Sequence, residues 1–420
     1  MIRTFSAFTE EMDDVEGAVS DIKRQIENRD LLANSIGLIS CLPAFIETGV
    51  YAALAEALPF DLVGQTTIAG AVPGSEDLNI LSLFILTSDD LSFSVALTEP
   101  ITEEDERLII SSYEHTMALA QDRPSVSLIL VYAPLLLTVG GDYFVRAFDA
   151  ASGGVPVFGS LAVDNTLDYR KARVLFRGED YADRVAYLLI HGEFKPRFYL
   201  ATISNEKIFS GTGVVTRSQG NQVLEIDGAP AVQFLIGKGL ATDDRGVIQG
   251  LDSFPYIVDY NDGSDPVVRV IFATTEEGGA VCLGDIPEGS TLSVGYFDDT
   301  EILKSTQSTL EKVPLAAPAS APAAPASAPA SAPAAPLAHA ATSAAPAING
   351  ILIFSCLGRF LTLGFEPKRE LVEVRTRFDR SRIPYAVVYS GGEICPLANH
   401  VNPGKMTTRF HNNTFCMLVL

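Results

Sequence analysis

Three segments are the most informative about the fold of this chain: ILIFSCLGRF (351–360), IPYAVVYSGGEICPL (383–397) and RFHNNTFCMLVL (409–420). Each combines an apolar run of strand length with a short cluster of polar residues at one end. In α/β sheets, side chains and free backbone groups meet in a crevice at strand ends. The three segments therefore predict a site built at strand ends from a thiol, a guanidinium, a carboxylate and an imidazole.

Four side chains in these segments are the main candidates for binding a ligand: Cys356, Arg359, Glu393 and His411. A guanidinium near a thiol lowers the thiol pKa, so Cys356 is either a reactive thiolate or a small buried hydrophobic residue. Glu393 follows two glycines that let the chain turn sharply, and its carboxylate is expected to pair with Arg359 or with a ligand amino group. We predict that the four side chains share one crevice, with Asn412 beside the imidazole.

The rest of the chain repeats a strand–helix–strand–strand pattern, and the C-terminal segments follow a similar order. The two copies comprise 34–41, 45–58, 60–72 and 78–86, and then 126–134, 142–152, 155–165 and 170–178. Short apolar runs that alternate with helices predict an α/β fold with mixed sheets covered by helices. The junction of two related units is a favoured place for a small-molecule pocket, and we predict that Ser40, Gln65 and Ser160 line it.

Segment 314–347 consists almost entirely of proline, alanine and serine. Prolines at this spacing prevent a helix and favour an extended chain, and only Leu315 and Leu337 offer apolar side chains for burial. We predict a disordered tether inserted in a surface loop. At the other end of the chain, a helix over Thr9–Asn28 is predicted ahead of the first strand, which makes 1–29 a helical lead-in.

Two further segments, GVVTRSQGN (213–221) and LEIDGAPA (224–231), extend the pattern toward the N-terminus. Together with the C-terminal segments they closely resemble the FIST family, whose name stands for F-box and intracellular signal transduction proteins. The resemblance implies a two-domain protein, with a FIST N-like domain at 30–229 and a FIST C-like domain made of 230–313 and 348–420. It also implies a sensor that binds a small ligand such as an amino acid. A separate signalling protein would then supply the output, because no output domain is recognisable.

The chain has 420 residues and a formal net charge of −22. A surface of this charge repels phosphate backbones and anionic lipids, so we expect no nucleic-acid partner and no membrane partner. The N-terminus lacks the apolar segment of a signal peptide, and no apolar run is long enough to span a bilayer. Five cysteines without a CxxC or a metal-ligand spacing indicate free thiols in a reducing compartment. We therefore expect a cytoplasmic protein.

Three alternatives to a ligand-binding sensor remain open from the sequence. The first is a thiol-reactive protein or enzyme centred on the four side chains of the predicted crevice, although no nucleophile motif is present. The second is a haem-binding nitric oxide sensor, which the family resemblance suggests and in which His191 or His115 would supply the axial nitrogen. The third is a scaffold whose folded parts are joined by the tether. No cofactor and no metal are predicted.

Overall fold

The computed structural model describes residues 2–75, 78–136, 139–166, 168–241, 253–315, 347–366 and 368–420. Three mixed sheets and one antiparallel sheet, with helices between the strands, confirm the predicted α/β fold class. Nearly all of the predicted tether at 314–347 lies outside the described residues, and its disorder stays a prediction.

The first repeated unit, unit 1, begins with a strand rather than with the predicted helix. Its elements are β1 (Ile2–Thr9), α1 (Val15–Ile26), β2 (Asn34–Cys41), α2 (Ala44–Glu47), α3 (Val50–Ala57), β3 (Leu62–Thr66), β4 (Gly70–Ala71) and β5 (Leu81–Ser88). The helical lead-in over 1–29 was therefore wrong for residues 2–9, which pair with β5 along their whole length. The pairing partner lies some eighty positions away, so local periodicity could not reveal it.

The second unit, unit 2, repeats this order of elements. It comprises β6 (Ser92–Leu97), α4 (Glu106–Leu119), β7 (Val126–Ala133), α5 (Gly141–Ser152), β8 (Val157–Leu161), β9 (Val174–Phe176), β10 (Glu179–Tyr181) and β11 (Ala186–His191). The third unit, unit 3, begins with β12 (Arg197–Ala201) and is then interrupted.

An antiparallel sheet is inserted in unit 3, and we call it the insertion sheet. Its elements are β13 (Gly213–Gln219), β14 (Gln222–Ile226), β15 (Ala229–Pro230), α6 (Ala231–Gly237), β16 (Tyr256–Asp259), β17 (Val267–Arg269), β18 (Ile271–Thr274), β19 (Ala280–Cys282) and β20 (Thr291–Val294). Unit 3 then resumes with α7 (Asp299–Glu311), β21 (Ile351–Cys356), α8 (Leu357–Thr362), α9 (Lys368–Phe378), β22 (Tyr385–Ser390), β23 (Glu393–Ala398), β24 (Met406–His411) and β25 (Phe415–Val419).

An aspartate begins the first long helix of each unit. The carboxylate of Asp14 accepts a hydrogen bond from the backbone N–H of Gly17 at 2.9 Å at the start of α1. Asp105 and Asp298 cap α4 and α7 in the same way. An N-cap aspartate satisfies backbone donors that the helix itself leaves unpaired. The same local signal therefore starts the corresponding helix three times.

The three mixed sheets exchange strands in a cycle. Each contains the same three central strands from its own unit, in the orders β5–β2–β3, β11–β7–β8 and β25–β21–β22. Beside the last of these strands lies one from another unit: β9 of unit 2 next to β3, β23 of unit 3 next to β8, and β4 of unit 1 next to β22. Unit 2 thus gives the pair β9–β10 to the sheet of unit 1, unit 3 gives the pair β23–β24 to the sheet of unit 2, and unit 1 gives β4 to the sheet of unit 3, in a pseudo-threefold arrangement.

The backbone hydrogen bonds repeat this relation at the centre of the molecule. Thr66, Leu161 and Tyr389 occupy corresponding places, and their N–H groups donate to carbonyls of the incoming segments at 2.8, 3.0 and 3.1 Å. The three sheets share a core in which Phe158 of β8 stacks on Phe354 of β21, with ring centroids 5.2 Å apart. Helices of each unit pack on the outer faces of the sheets. Strand ends from all three units consequently converge near the centre.

Candidate functional site

Two of the predicted residues from different units meet at this centre. The Ser160 hydroxyl at the end of β8 donates to Oε1 of Gln65 in β3 at 2.9 Å, and both side chains are fully buried. The Gln65 amide lies 3.4 Å from the carbonyl oxygen of Leu161. The third predicted residue of this junction, Ser40, lies directly beside Gln65 in the ladder between β2 and β3, but its hydroxyl shares a 2.7 Å hydrogen bond with Ser82. The three predicted residues are therefore neighbours, and two of them are joined by a hydrogen bond across the junction of units 1 and 2.

Glu393 lies beside this pair, because it is directly opposite Ser160 in the ladder between β23 and β8. Its carboxyl oxygens accept hydrogen bonds from the hydroxyls of Ser390 at 2.8 Å and Thr414 at 2.7 Å. Burial raises the pKa of Glu393 to about 8. The carboxyl group is therefore mainly protonated at neutral pH and is not a free anion for a ligand.

Cys356 is a neighbour of Glu393, but it is not a reactive thiolate. The thiol is buried at the end of β21, where burial and the Glu393 carboxyl raise its pKa well above the usual range. Arg359 lowers this pKa, as predicted, but burial has the larger effect. Burial and the raised pKa of the thiol favour the predicted alternative of a small buried hydrophobic residue over a reactive thiolate.

Arg359 pairs with Glu370 rather than with Glu393. Its Nε and Nη2 atoms lie 2.9 and 2.7 Å from Oε1 of Glu370, and both side chains are fully buried. Burial alone would raise the pKa of Glu370, but Arg359 and nearby hydroxyl groups hold it below its usual value. The predicted ion pair with Glu393 is therefore wrong. Glu370 was missed, although its place on the apolar face of α9, next to Leu371 and in line with Val374, was a signal for a buried acid.

His411 lies directly opposite Glu393 in the ladder between β23 and β24, but its imidazole and the Asn412 side chain contact other groups. Nε2 of His411 lies 3.1 Å from the carbonyl oxygen of Cys395, its Nδ1 has no hydrogen-bond partner, and burial lowers its pKa to about 3. The Asn412 amide oxygen lies 3.4 Å from the backbone nitrogen of Val270 in the insertion sheet. The predicted single crevice is thus divided into a Cys356–Glu393 cluster, an Arg359–Glu370 pair and a histidine that contacts other groups.

The histidines considered for haem have distinct surroundings. His191 is fully buried, and its two ring nitrogens each lie 2.9 Å from a protein oxygen. His115 is exposed on α4. In the described part of the chain, His191 therefore offers no free ring nitrogen to an axial position.

A cavity of about 220 Å³ lies next to the central cluster, between unit 2 and the insertion sheet. It is bounded by the N-terminus of α5, the end of β8, the turn before β23 and the loop after β19. Its apolar walls are Leu135, Leu136, Val139, Leu161, Phe272, Leu283 and Phe410, and its polar side chains are Glu104, Asn221 and Asp285. An apolar cavity with a few polar groups at a domain boundary is typical of small-ligand sites.

A cluster of four charged side chains, of which Glu104 and Asp285 line the cavity, carries net negative charge. One guanidinium, that of Arg146, pairs with Glu104 at 2.9 Å, with Glu106 at 3.2 Å and with Asp285. Three carboxylates and one guanidinium leave two negative charges on this group of four side chains. Glu104 also accepts a hydrogen bond from the backbone N–H of Gly140 at 3.2 Å, which fixes it beside α5.

A buried ion pair holds the two sides of the cavity together. Arg269 of β17 donates through Nη2 to Asp142 in the first turn of α5 at 2.9 Å and through Nη1 to the Phe410 carbonyl at 2.7 Å. The other oxygen of Asp142 accepts from the backbone N–H of Asp285 at 2.8 Å. Sequence reasoning missed this pair, although a lone arginine in the apolar run VVRVIF (267–272) is a signal for a buried partner.

A larger groove of about 1290 Å³ runs between α1 and α3 on the surface of unit 1. It is open and bordered by the charged outer residues of two helices, among them Glu16, Lys23 and Glu56. Such solvated faces are ordinary for helices that cover a sheet. The smaller cavity, with its apolar walls, its two carboxylates and contributions from both halves of the chain, is therefore the candidate site.

Two family models match the chain over most of its length. The model of the FIST N domain matches residues 35–229, and the model of the FIST C domain matches residues 234–396. The chain therefore belongs to the FIST family, whose domains are associated with sensory roles in signal transduction. No curated protein matches the chain.

The candidate cavity lies at the boundary of the two matched regions. Leu135 and Leu161 belong to the FIST N match, whereas Leu283 and Asp285 belong to the FIST C match. Among the described residues, no group of three or more His, Cys, Asp or Glu side chains is arranged to hold a metal ion. No helix in the described ranges has the length and apolar character needed to cross a membrane.

Proposed function

We propose that this protein is a sensor that binds a small amine-bearing metabolite, such as an amino acid with an apolar side chain, in the cavity between its two FIST domains. The observation that carries this proposal is the negative charge beside the cavity, where the wall residues Glu104 and Asp285, together with Glu106, share the guanidinium of Arg146. A site with excess negative charge attracts a cation, and an ammonium group can donate three hydrogen bonds to carboxylate oxygens.

The apolar wall of the cavity favours a ligand with a hydrophobic part. Leu136, Val139 and Phe272 would contact this part, while the amine would lie toward Glu104 and Asp285. A volume of about 220 Å³ suits a molecule of metabolite size rather than a large cofactor. Because each domain contributes part of the wall, an occupant would contact both and favour the arrangement in which they are close.

The signal would pass to a separate signalling protein in the cytoplasm. The association of FIST domains with signal transduction supports an output of this kind. Five buried free thiols support a reducing compartment. The net charge of −22 makes nucleic acids and anionic membranes poor candidates for the partner.

Filling the cavity tests the proposal. A Cβ atom added at Gly140 would lie 3.7 Å from Oε1 of Glu104 and 3.8 Å from Oδ1 of Asp285, which is ordinary contact, and the residue has φ −75° and ψ 154°. Gly140→Leu should therefore fold and occupy the space meant for the ligand. Gly237→Leu is the matched control, because it lies at the exposed end of α6 with no atom near its Cβ position.

Thermal unfolding is measured for all three proteins with each common amino acid and with simple amines. We expect at least one apolar amino acid to raise the melting temperature of the wild type and of Gly237→Leu but not of Gly140→Leu, since a ligand stabilises the folded state only where it binds. The proposal fails if no amine stabilises the wild type, or if Gly140→Leu responds as the control does.

A further inference from the structure

A serine and a histidine in unit 2 form a hydrogen-bonded pair beside a second cavity. The Ser94 hydroxyl oxygen of β6 lies 2.9 Å from Nε2 of His191, the last residue of β11. His191 lies opposite Ser92 in the antiparallel ladder, so Ser94, two residues further along, faces the same side of the sheet. The ladder thus holds the two side chains together.

The environment of His191 fixes which ring nitrogen carries the proton. Nδ1 lies 2.9 Å from the carbonyl oxygen of Pro124, and a carbonyl oxygen can only accept a hydrogen bond. Nδ1 therefore carries the hydrogen, and Nε2 presents its lone pair to the Ser94 hydroxyl. Burial lowers the pKa of His191, and Arg123 lowers it further, so the imidazole is neutral near pH 7. In this state Nε2 can accept a proton from the serine.

A guanidinium completes the arrangement. Nη1 of Arg123 donates to the Ser94 hydroxyl oxygen at 3.0 Å and also to the carbonyl oxygen of Phe93. Within the described ranges, no carboxylate lies within ion-pair distance of Arg123. Its charge is therefore available to the oxyanion that forms on a substrate carbonyl oxygen when Ser94 attacks, and to an anionic group on a substrate.

A cavity of about 250 Å³ borders these side chains. Ser94 and Arg123 line it together with Phe93, Leu119 and Arg177. The guanidinium of Arg177 is already paired with Asp61 at 2.7 Å, so Arg123 is the cation that a substrate would meet. Apolar walls on one side and a free cation on the other fit a small organic anion.

We propose that Ser94 is a nucleophile and His191 its general base in a hydrolytic site for small esters that carry a carboxylate. This site is separate from the ligand cavity and does not depend on the sensor function. The Ser94 oxygen attacks the ester carbonyl carbon while its proton moves to Nε2 of His191, and Arg123 faces the developing oxyanion.

The remaining steps return the site to its starting state. The bond from the carbonyl carbon to the leaving oxygen breaks, and the leaving alcohol takes the proton from Nε2. Water then attacks the acyl group on Ser94, gives one proton to Nε2 and releases the acid. That proton returns to the Ser94 oxygen, so the net reaction is ester plus water to acid plus alcohol. Nδ1 keeps its hydrogen throughout and donates it in a hydrogen bond to the Pro124 carbonyl oxygen.

The experiment compares the full-length wild type with Ser94→Ala, His191→Gln and Arg123→Gln. The control is Ser127→Ala, because Ser127 lies on the neighbouring β7, donates to the carbonyl of Ile190 and has no histidine partner. Each protein is treated with a fluorophosphonate, and intact mass and peptide mapping locate the adduct. Hydrolysis is followed with the 4-nitrophenyl monoester of succinic acid and with neutral 4-nitrophenyl butyrate.

We expect one adduct, on Ser94, in the wild type and in Ser127→Ala, and none in Ser94→Ala. Hydrolysis of the succinate ester should fall at least 100-fold in Ser94→Ala and His191→Gln. In Arg123→Gln the preference for the succinate ester over the butyrate ester should fall at least tenfold. The proposal is overturned if the wild type takes up no phosphonate, if Ser94→Ala is labelled equally, or if it hydrolyses the succinate ester as fast as the wild type. Because Ser94→Ala removes only one hydroxyl group, its result does not depend on whether His191→Gln folds.

Discussion

Glu370 and Glu393 are both fully buried, yet they are in opposite protonation states. Glu370 faces the guanidinium of Arg359, so its pKa is lowered and it remains a carboxylate. Glu393 accepts hydrogen bonds from the hydroxyl groups of Ser390 and Thr414 and from the thiol of Cys356, and burial raises its pKa. A buried carboxylate needs a nearby cation to stay charged, whereas a protonated carboxyl needs only hydrogen-bond partners. The local sequence around each residue does not reveal which partner it will meet.

This difference predicts how stability depends on pH. The pKa of Glu393 is about 8 in the folded protein against a usual value of 4.5 in an unfolded chain. Between these two pH values, Glu393 therefore binds a proton in the folded state that it has lost in the unfolded state. The stabilisation is fully present below about pH 4.5 and is lost as pH rises toward 8, at up to about 1.4 kcal/mol per pH unit. Glu393→Gln keeps a neutral side chain of the same shape and should not show this loss.

Urea unfolding of the wild type and of Glu393→Gln at pH 5, 6, 7 and 8 measures the effect. Comparing the two proteins removes contributions from other groups. One of these is His411: because its pKa is lowered in the folded state, it reduces the free energy of unfolding as pH falls below about 6.5, whereas Glu393 reduces it as pH rises. The unfolding free energy of the wild type relative to the variant should fall as pH rises. Parallel pH profiles for the two proteins would contradict a protonated Glu393.

At the scale of elements, two glycines set the close approach of parallel strands. A Cβ atom at Gly64 in β3 would lie 1.7 Å from the carbonyl oxygen of Ile39 in β2. In unit 2, a Cβ atom at Gly159 in β8 would lie 2.2 Å from the carbonyl oxygen of Val131 in β7. Glycine is required in both strands because neighbouring backbone occupies the space of a side chain.

Gly159→Ala should therefore destabilise the protein. The new methyl group meets backbone in a fixed sheet, so we expect a loss of about 3 kcal/mol or more, at or above the upper end for overpacked sites. Gly237→Ala, whose methyl group would meet no atom, should change stability by less than about 0.5 kcal/mol. Denaturant unfolding of both variants checks this. A Gly159→Ala variant as stable as the control would mean that the two strands can move apart at little cost.

At the scale of the whole molecule, the units depend on one another for their sheets. Strand β23 from the C-terminal part completes the sheet of unit 2, and β4 and β12 from the N-terminal part complete the sheet of unit 3. The two regions matched by the family models therefore share strands instead of forming separate sheets. Sheet edges that lose a neighbour expose unpaired backbone groups and apolar surface.

This exchange predicts a single cooperative unfolding transition for the full chain. Fragments 1–229 and 230–420, expressed separately, should each lack a cooperative transition, because each loses strands on which its own sheets depend. Calorimetry and circular dichroism of the chain and of both fragments provide the measurement. If 1–229 alone melts cooperatively near the temperature of the full chain, the exchanged strands contribute little to folding.

Local patterns in the sequence predict the repeated units, most of their strands and helices and the buried cysteines, because apolar periodicity, glycines and prolines act over a few positions along the chain. The N-terminal and C-terminal FIST domains were predicted from the resemblance of several segments to the family. The strand at Ile2–Thr9 was not predicted, because its partner β5 is distant in sequence. Gln65 and Ser160 could be predicted to lie together because both are near strand ends in corresponding places of related units, while their role in binding a ligand stays a prediction.

Which charged and polar groups meet depends on the path of the folded chain. Arg359 and Glu370 are 11 positions apart, Ser94 and His191 are 97 apart, and Arg146 and Asp285 are 139 apart. Each pair depends on the path of the chain between its members, and that path is set by strand pairing and core packing. Periodicity predicts which residues are buried, but the free energy of a buried charge depends on partners that local patterns do not specify.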